Sequence, residues 1–198
     1  MENYVVTISR QFASFGRSIA QKMSEELQIE FYDRDIVEAT AKRMGQPLPV
    51  ISNEEENSNS IFFRRKYPLG MGIANIQDEI FNVQTNIIRD IAKKESCIIV
   101  GRCAGSVLRD YVRCLNIFVY SPYESRLKNC TDVLQMDLKV AKKMIKDVDK
   151  ARENYRYRYC PEVDNAYDGY DIMIDSSRFG INRTAKILAD IVKNTFLS

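Results

Sequence analysis

The residues best suited to chemistry lie near the start of the chain, between a β-branched run and a helical pattern. Residues 9–19 read SRQFASFGRSI, and Gly16-Arg17-Ser18 can stand for the last three positions of the phosphate-binding pattern GxxxxGK[ST]. There, main-chain amides surround phosphate, a basic side chain reaches its outer oxygens and a hydroxyl binds magnesium. Gln11 stands where the pattern has its first glycine. The segment alone fits this loop or an ordinary turn in which Gly16 supplies an unusual dihedral angle.

A second candidate is the basic stretch between residues 139 and 158. Its eight basic residues face three acidic ones, which leaves a net charge of +5. The basic residues are Lys139, Lys142, Lys143, Lys146, Lys150, Arg152, Arg156 and Arg158. A clamp for phosphate charge and a solvated helix face both fit this pattern. Nucleic-acid binding fits less well, because the remainder of the chain then carries −3.

Two further polar segments follow predicted strands. Gly101-Arg102-Cys103 comes after residues 97–100, and Asp175 comes after residues 171–174. Ligands of parallel α/β folds bind at the carboxyl ends of strands, so Arg102 is a candidate binding residue. An exit turn whose arginine forms a surface ion pair fits equally well. Asp175 is expected to cap the following turn.

The composition excludes several classes of mechanism. The 198 residues include 29 Lys plus Arg and 27 Asp plus Glu, and a net charge of +2 argues against a protein that coats polyanions. The chain has no histidine, which excludes a histidine base, a histidine metal ligand and a Ser-His-Asp triad. Five cysteines without a CxxC pair indicate reduced thiols. Without a leader-like or membrane-spanning run, we expect a soluble, cytoplasmic protein.

Alternating strand and helix patterns must position these residues. Strands are predicted at residues 4–8, 29–32, 97–100, 116–120 and 171–174. Asp33 is expected to cap a helix that runs to about residue 44, and further helices are predicted at 76–91 and about 137–159. This alternation predicts an α/β fold with a parallel sheet covered by helices on both faces.

One segment interrupts the alternation. Residues 45–74 hold three of the five prolines and the polar run SNEEENSNS. We expect this segment to be a mobile insertion in a single domain of residues 1–198.

Together, these segments resemble the cytidylate-kinase-like family of P-loop nucleoside monophosphate kinases. Six segments follow the family's order: ISRQFASFGRSIA, FYDRDIVEATAKRMG, CIIVGRCAGSVLRD, NIFVYSPYESRLK, KDVDKARENYRYRY and YDIMIDSSRFGI. The resemblance covers most of the chain outside residues 45–74 and favours the phosphate-loop interpretation. It implies a three-layer α/β/α P-loop NTPase fold with a five-stranded parallel sheet and a helical lid at about residues 130–165.

The resemblance implies Mg²⁺- and ATP-dependent phosphoryl transfer to a nucleoside monophosphate, with CMP or dCMP as the expected acceptor. Such catalysis depends on positioning and charge neutralisation more than on a base, so the lack of histidine is no obstacle. A non-catalytic nucleotide- or phosphate-binding module on the same fold is the alternative. Small nucleotides, rather than nucleic acid or membranes, are the expected partners.

The resemblance also implies a role for each matching residue. The residues expected to bind the ATP phosphates are Ser14, Phe15, Gly16, Arg17 and Ser18, with Ser18 also reaching magnesium. The residues expected at the acceptor are Asp33, Arg34, Arg102 and Arg152. The residues expected to be catalytic are Arg17, Arg126, Asp149 and Arg152.

The chain departs from the family pattern at several of these positions. Typical members read G-S-G-G-R where this chain reads Ala13-Ser14-Phe15-Gly16-Arg17. Side chains at residues 13 and 15 thus stand where amides must approach phosphate closely. Arg17 keeps the charge of the usual lysine but not its compact shape. Cys103 replaces the aspartate of the family's G-R-D.

Overall fold

The computed structural model describes residues 2–48, 51, 73–160, 165 and 167–197. The strands are β1 (Val5–Arg10), β2 (Glu30–Tyr32), β3 (Cys97–Val100), β4 (Cys114–Tyr120) and β5 (Ile172–Asp175). The helices are α1 (Gly16–Leu27), α2 (Arg34–Met44), α3 (Ile73–Lys94), α4 (Ala104–Val107), α5 (Tyr123–Lys128), α6 (Leu138–Tyr159) and α7 (Ser176–Phe196). A π-helical turn, Asn129–Val133, follows α5. Most of the predicted insertion at 45–74 lies outside the described residues.

The five strands form one parallel sheet in the order β2-β3-β1-β4-β5. Val5 of β1 pairs with Cys97 of β3 on one side and with Cys114 of β4 on the other. Because all strands run in the same direction, the segments that follow them meet at one edge of the sheet. The predicted α/β class and the five-stranded parallel sheet are confirmed.

Alternate residues of each strand face opposite layers of helices. On one face, Val6 and Ile8 belong to a core that includes Met23 of α1 and Leu188 of α7. On the other face, Val5 belongs to a core with side chains of α2, α3 and α4. These runs are buried on both sides, as expected for central parallel strands. The three-layer α/β/α arrangement is therefore confirmed.

Helix α6 begins at a side-chain cap and ends against α3. The Asp137 carboxylate accepts hydrogen bonds from the main-chain N–H groups of Lys139 and Val140. Near the other end, the rings of Tyr159 and Phe81 stack with centroids 4.1 Å apart. The Tyr159 hydroxyl donates to the Asp78 carboxylate at 2.9 Å. The helix at the centre of the predicted lid region thus contacts α3 directly.

The eight basic residues of α6 do not form one surface. Five lysines of this helix are exposed, as a solvated helix face requires: Lys139, Lys142, Lys143, Lys146 and Lys150. Arg158 pairs with Asp78 at 2.8 Å, whereas Arg152 is half-buried against the loop after β1. The structure therefore separates Arg152 from the lysines. None of the helices in the described ranges is long and apolar enough to cross a membrane.

The burial of Ile117 gives a test of this core. Ile117 lies on β4 and is 0% exposed. Ile117→Ala is expected to lower the free energy of unfolding by about 2–5 kcal/mol, because it removes buried carbon atoms and leaves a cavity. Urea denaturation followed by circular dichroism measures this change. The control Val112→Ala alters a side chain that is 96% exposed and should change the same free energy by less than about 0.5 kcal/mol. Equal losses in the two variants would contradict the layer assignment.

Candidate active site

The loop between β1 and α1 has an unusual backbone at two of the three positions where the family pattern has glycine. Ala13 has φ 57° and Phe15 has φ 59°, so both are left-handed. Each such residue with a side chain costs about 1–2 kcal/mol relative to the ordinary helical conformation. The loop therefore keeps a conformation suited to glycine although neither residue is glycine. We call residues 11–15 the phosphate loop.

The N-terminus of α1 directly follows the phosphate loop and has no side-chain cap. Phe15 occupies the N-cap position, and no side chain there caps the helix. The first main-chain N–H groups of a helix have no acceptor within the helix, and with the helix dipole they favour an anion. Arg17 is exposed on this first turn and Ser18 is half-buried. Gly16, Arg17 and Ser18 thus form the first turn of α1.

The Ser14 side chain connects the phosphate loop to the end of β4. This side chain is fully buried, and its hydroxyl lies 2.9 Å from the Gln11 carbonyl oxygen and 3.1 Å from that of Val119. The Ser14 carbonyl oxygen accepts a hydrogen bond from the Ser176 hydroxyl at 2.8 Å. The hydroxyl of Ser14, a residue expected to bind phosphate, is thus engaged by the ends of neighbouring strands. Asp175 caps α7 through the Ser177 N–H group, as expected.

Side chains from α5 and α6 bind the main chain of the phosphate loop. The Asp149 carboxylate accepts the Phe12 N–H at 2.7 Å and forms an ion pair with Arg126. Arg126, which is buried, also donates to the Phe12 carbonyl oxygen at 3.4 Å. From α6, Arg152 donates to the Arg10 carbonyl oxygen at 3.1 Å. Arg126 and Asp149 therefore hold the loop, and Arg152 binds the end of β1 beside it. All three residues were expected to be catalytic.

Apolar contacts join the phosphate loop to the same elements. Phe12 and Ala13 pack against the buried side chains of Cys130, Ala141 and Ile145. The last two belong to the first half of α6, which therefore lies against the phosphate loop. The side chain at residue 13 has a packing role here that a glycine lacks.

Four charged residues converge at the carboxyl ends of β1, β2 and β3. The carboxylate of Asp33, which is 6% exposed, lies 2.7 Å from Arg17 Nε and 3.3 Å from an Arg102 Nη1. Arg10 Nη2 lies 4.0 Å from it. We call these residues the Asp33 cluster. Arg34 is exposed on the first turn of α2 and is not among the arginines that contact Asp33.

Two features of the Asp33 cluster differ from the sequence interpretation. Asp33 occupies the N-cap position of α2 as predicted, but its side chain makes no capping hydrogen bond. The carboxylate binds arginines instead, because it lies among the strand ends that carry them. Arg10 was missed as a site residue. Its one signal in the sequence is a basic side chain directly after a predicted strand.

Cys103 lies beside Cys160 at the end of α6. The Cys103 thiol and the Ser106 hydroxyl hydrogen-bond to the Cys160 sulfur and, with the nearby Arg156 charge, lower the Cys160 pKa to about 7 against the effect of burial. The same hydrogen bond, together with burial, raises the pKa of Cys103. Cys103 therefore stays a neutral donor, in a position where the family pattern has a carboxylate.

The ends of the sheet thus carry a phosphate loop, an open helix N-terminus and a cluster of arginines. The profile described as the cytidylate kinase-like family matches residues 5–178, which include all of these features. The chain belongs to the cytidylate kinase-like family.

Solved structures share the fold of this cytidylate kinase-like chain. An uncharacterized protein from Eubacterium ventriosum has a TM-score of 0.72 at 23% identity, covering 96% of this chain and 99% of that one. Shikimate kinase from Acinetobacter baumannii, solved with shikimate, has a TM-score of 0.56 at 11% identity, covering 99% and 96%. A Bacillus subtilis protein in complex with phosphorylated GDP has a TM-score of 0.52 at 10% identity, covering 98% of each chain. These similarities show the fold alone. No curated protein matches the chain.

The pair formed by Asp149 and Arg126 in this cytidylate kinase-like chain can be tested by removing the carboxylate. Asp149→Ala is expected to lower the free energy of unfolding by about 3 kcal/mol, because it leaves the Arg126 charge buried without this partner. Urea denaturation measures the loss, and hydrogen exchange of the Phe12 amide should accelerate. Asp147→Ala changes an exposed residue of the same helix and serves as the control. Equal Phe12 exchange in the two variants would show that Asp149 does not hold the loop.

The thiol pair gives a prediction about pH. Alkylation of Cys160, which depends on its thiolate, is expected to rise through a midpoint near pH 7, because its pKa is about 7. Cys103→Ala removes a donor to the thiolate and should move this midpoint upward. Mass spectrometry of alkylated peptides measures the rate of Cys160 alkylation against pH in the wild type and in the variant. Cys97 is the internal control, since burial raises its pKa to about 12. A Cys160 midpoint of about 9 in the wild type would contradict the thiol contact.

Proposed function

We propose that the chain transfers the γ-phosphoryl group of ATP to a nucleoside monophosphate, with CMP and dCMP as the first acceptors to test. The observation that carries this proposal is the phosphate loop, whose left-handed residues 13 and 15 lead into an α1 N-terminus without a side-chain cap. Family membership supports the same reaction class. In the transfer, the γ-phosphorus bonds to an acceptor phosphate oxygen as its bond to the bridging oxygen of ADP breaks.

The donor phosphates would bind at the start of α1. Gly16 and the following main-chain amides would hold phosphate oxygens, and the exposed Arg17 would contact the outer ones. Phe15 would contribute through its main chain. In this proposal Arg126 and Asp149 are positioning residues that hold the loop, whereas Arg152 and Arg102 lie nearer to the acceptor.

Magnesium fits this arrangement through oxygen ligands. Among the described residues, no group of three or more His, Cys, Asp or Glu side chains could hold a metal ion. Mg²⁺ in phosphoryl-transfer enzymes binds mainly through phosphate oxygens and water and needs few protein ligands. The Ser18 hydroxyl would be such a ligand. The ion would neutralise charge on the transferring phosphoryl group.

The acceptor would bind among charged residues near the ends of the strands. Of the candidates Asp33, Arg34, Arg102 and Arg152, Asp33 and Arg102 follow strands, and Arg152 of α6 donates to the Arg10 carbonyl oxygen at the end of β1. The same fold holds shikimate in the Acinetobacter enzyme and phosphorylated GDP in the Bacillus protein. An acceptor screen therefore starts with CMP and dCMP, continues with other nucleoside monophosphates and includes shikimate.

One observation favours a non-catalytic alternative. Arg17, in the position of the usual lysine, is bound by Asp33 at 2.7 Å. A kinase must break this pairing to place the Arg17 charge on the transferring phosphoryl group, whereas a protein that only binds nucleotide or phosphate can keep it. Turnover separates the two functions. Magnesium-dependent formation of ADP and a phosphorylated acceptor supports the kinase, whereas nucleotide binding without transfer to any acceptor supports the binding module.

The role of Arg17 can be tested by calorimetry with a non-hydrolysable ATP analogue and Mg²⁺. Arg17→Ala is expected to weaken binding at least about tenfold, because a charged contact to phosphate is lost. The side chain is 57% exposed, so the variant should stay folded by circular dichroism. Arg43→Gln removes a positive charge from a surface ion pair with Asp90 and is the control. Unchanged affinity in Arg17→Ala would show that the donor phosphates bind elsewhere.

A further inference from the structure

Two of the five cysteines are in contact with each other. All five lie among the described residues and have free thiols. Cys103 and Cys160, the thiol pair, are joined by a thiol–thiol hydrogen bond. Cys97 and Cys114, by contrast, pair with opposite sides of Val5, so their strands are two steps apart, or about 9–10 Å. That distance exceeds the roughly 7 Å between Cα atoms that a disulfide spans.

Main-chain hydrogen bonds hold both cysteines of the thiol pair in place. The Cys160 N–H donates to the Arg156 carbonyl oxygen at 2.7 Å, at the end of α6. The Cys103 carbonyl oxygen accepts the Val107 N–H at 3.0 Å. The turn that contains Cys103 is joined to β1 by the Gly101 N–H, which donates to a carbonyl oxygen of that strand at 3.0 Å. The thiols therefore meet between two segments that are each fixed by their own hydrogen bonds.

The surroundings of the thiol pair favour a thiolate on Cys160. Hydrogen bonds from the Cys103 thiol and the Ser106 hydroxyl, with the nearby Arg156 charge, lower its pKa to about 7 against the effect of burial. About half of the Cys160 side chains are thus ionised at pH 7, and the thiolate is the form that reacts with oxidants. Burial raises the pKa of Cys97 to about 12, so that thiol stays protonated.

The burial of the thiol pair selects for a small oxidant. Cys160 is 6% exposed, and Cys103 is half-buried. Hydrogen peroxide is little larger than water, whereas a peptide disulfide must bring its whole chain against the attacking sulfur. Since reaction depends on access as well as on ionisation, a peroxide is the class of oxidant that fits this pair.

We propose that Cys160 is a site of oxidation by hydrogen peroxide and that Cys103 converts the product to an intramolecular disulfide. The Cys160 thiolate attacks one peroxide oxygen and the O–O bond breaks, which gives a sulfenic acid and a hydroxide that takes up a proton. Cys103 then attacks the Cys160 sulfur. The S–S bond forms, the S–O bond breaks, and the oxygen leaves as water with the Cys103 proton. The two sulfurs together lose two electrons, and the peroxide is reduced to two molecules of water.

The first of these steps prepares the second. The hydrogen bond to the Cys160 sulfur, together with burial, raises the pKa of Cys103. Oxidation of Cys160 removes the thiolate charge that holds this proton. Cys103 can then give up its proton as its sulfur attacks. The contact that keeps Cys103 neutral in the reduced chain therefore also places it for the second step.

The disulfide would join two parts of the candidate active site. Arg102, which contacts Asp33 at 3.3 Å, directly precedes Cys103. Helix α6, which ends beside Cys160, holds the phosphate loop through Asp149. A bond between residues 103 and 160 thus connects the turn after β3 to this helix. The thiol chemistry does not require the proposed phosphoryl transfer, because no nucleotide takes part in it.

Peroxide treatment of the full chain at pH 7, stopped by alkylation and followed by peptide mass spectrometry, tests the proposal. The wild type is expected to give a linked pair of peptides, containing Cys103 and Cys160, that dithiothreitol separates. Oxidation of Cys160 should be at least about a hundredfold faster than that of Cys97. Their thiolate fractions differ about 10⁵-fold, and the lower nucleophilicity of the more acidic thiol offsets only part of this difference.

Two serine variants separate the roles of the thiols. Cys103→Ser keeps a hydrogen-bond donor beside Cys160 but removes the second thiol. Cys160 sulfenic acid should then accumulate, be trapped by dimedone and give no linked peptides. Cys114→Ser is the matched control, since it removes a half-buried thiol from β4, and it should form the linked pair within about twofold of the wild-type rate. Circular dichroism checks both folds, and the wild-type peptide map tests the proposal even if Cys103→Ser unfolds.

Four results would overturn the proposal. Oxidation of wild-type Cys160 to a sulfinic acid without linked peptides excludes Cys103 as its partner. Linked peptides found only in covalent dimers on a non-reducing gel exclude an intramolecular bond. Equal rates of oxidation at Cys160 and Cys97 exclude a selective site. Dimedone trapping on Cys103 rather than Cys160 in the wild type reverses the assigned roles.

Discussion

The hydrogen bond from the Phe12 N–H to the Asp149 carboxylate is the constraint on which the phosphate loop depends. Two left-handed residues with side chains cost the loop about 1–2 kcal/mol each. Hydrogen bonds to charged groups contribute about 1.5–3 kcal/mol each. Asp149 and Arg126 bond to the main chain of Phe12 in the loop, and Arg152 bonds to that of Arg10 at the end of β1. These bonds are sufficient to offset the strain. The loop conformation is thus held by neighbouring helices rather than by glycine.

Local pattern was enough to predict most of the fold. Apolar runs placed every strand to within a few residues. The signal is clearest for β1 and β3, which are central strands with mostly buried residues. The segment at residues 11–15 and Arg102 were also placed correctly at the carboxyl ends of strands, because both follow predicted strands. What the sequence did not reveal depends on contacts between distant segments. Asp33 looks like an ordinary helix cap until the fold brings Arg17 and Arg102 to it, and the interior position of the Ser14 hydroxyl depends on the end of β4.

The position of the Arg10 side chain also could not be predicted from the local sequence. A basic residue at the end of a strand has no distinctive local pattern, and its direction is set by Gly16 and Gly101. The chemical character of the site follows from such residues. Guanidinium groups remain charged at any physiological pH, and the chain has no histidine. The positive charge around Asp33 therefore comes from arginines rather than from a histidine, and the Cys160 thiol, which contacts Cys103 next to Arg102, has a pKa lowered to about 7.

Helix α6 joins two sites that are distant in the sequence. Asp149 binds the phosphate loop, and Tyr159, ten residues or about 15 Å along the same helix, stacks on Phe81 of α3. Because α6 makes contacts at both points, a rotation of the helix that lengthens one contact also disturbs the other. Such coupling is reciprocal in free energy. A ligand that favours the present loop conformation strengthens the ring stack on α3, and a partner that holds α3 in place strengthens the affinity of the loop for that ligand.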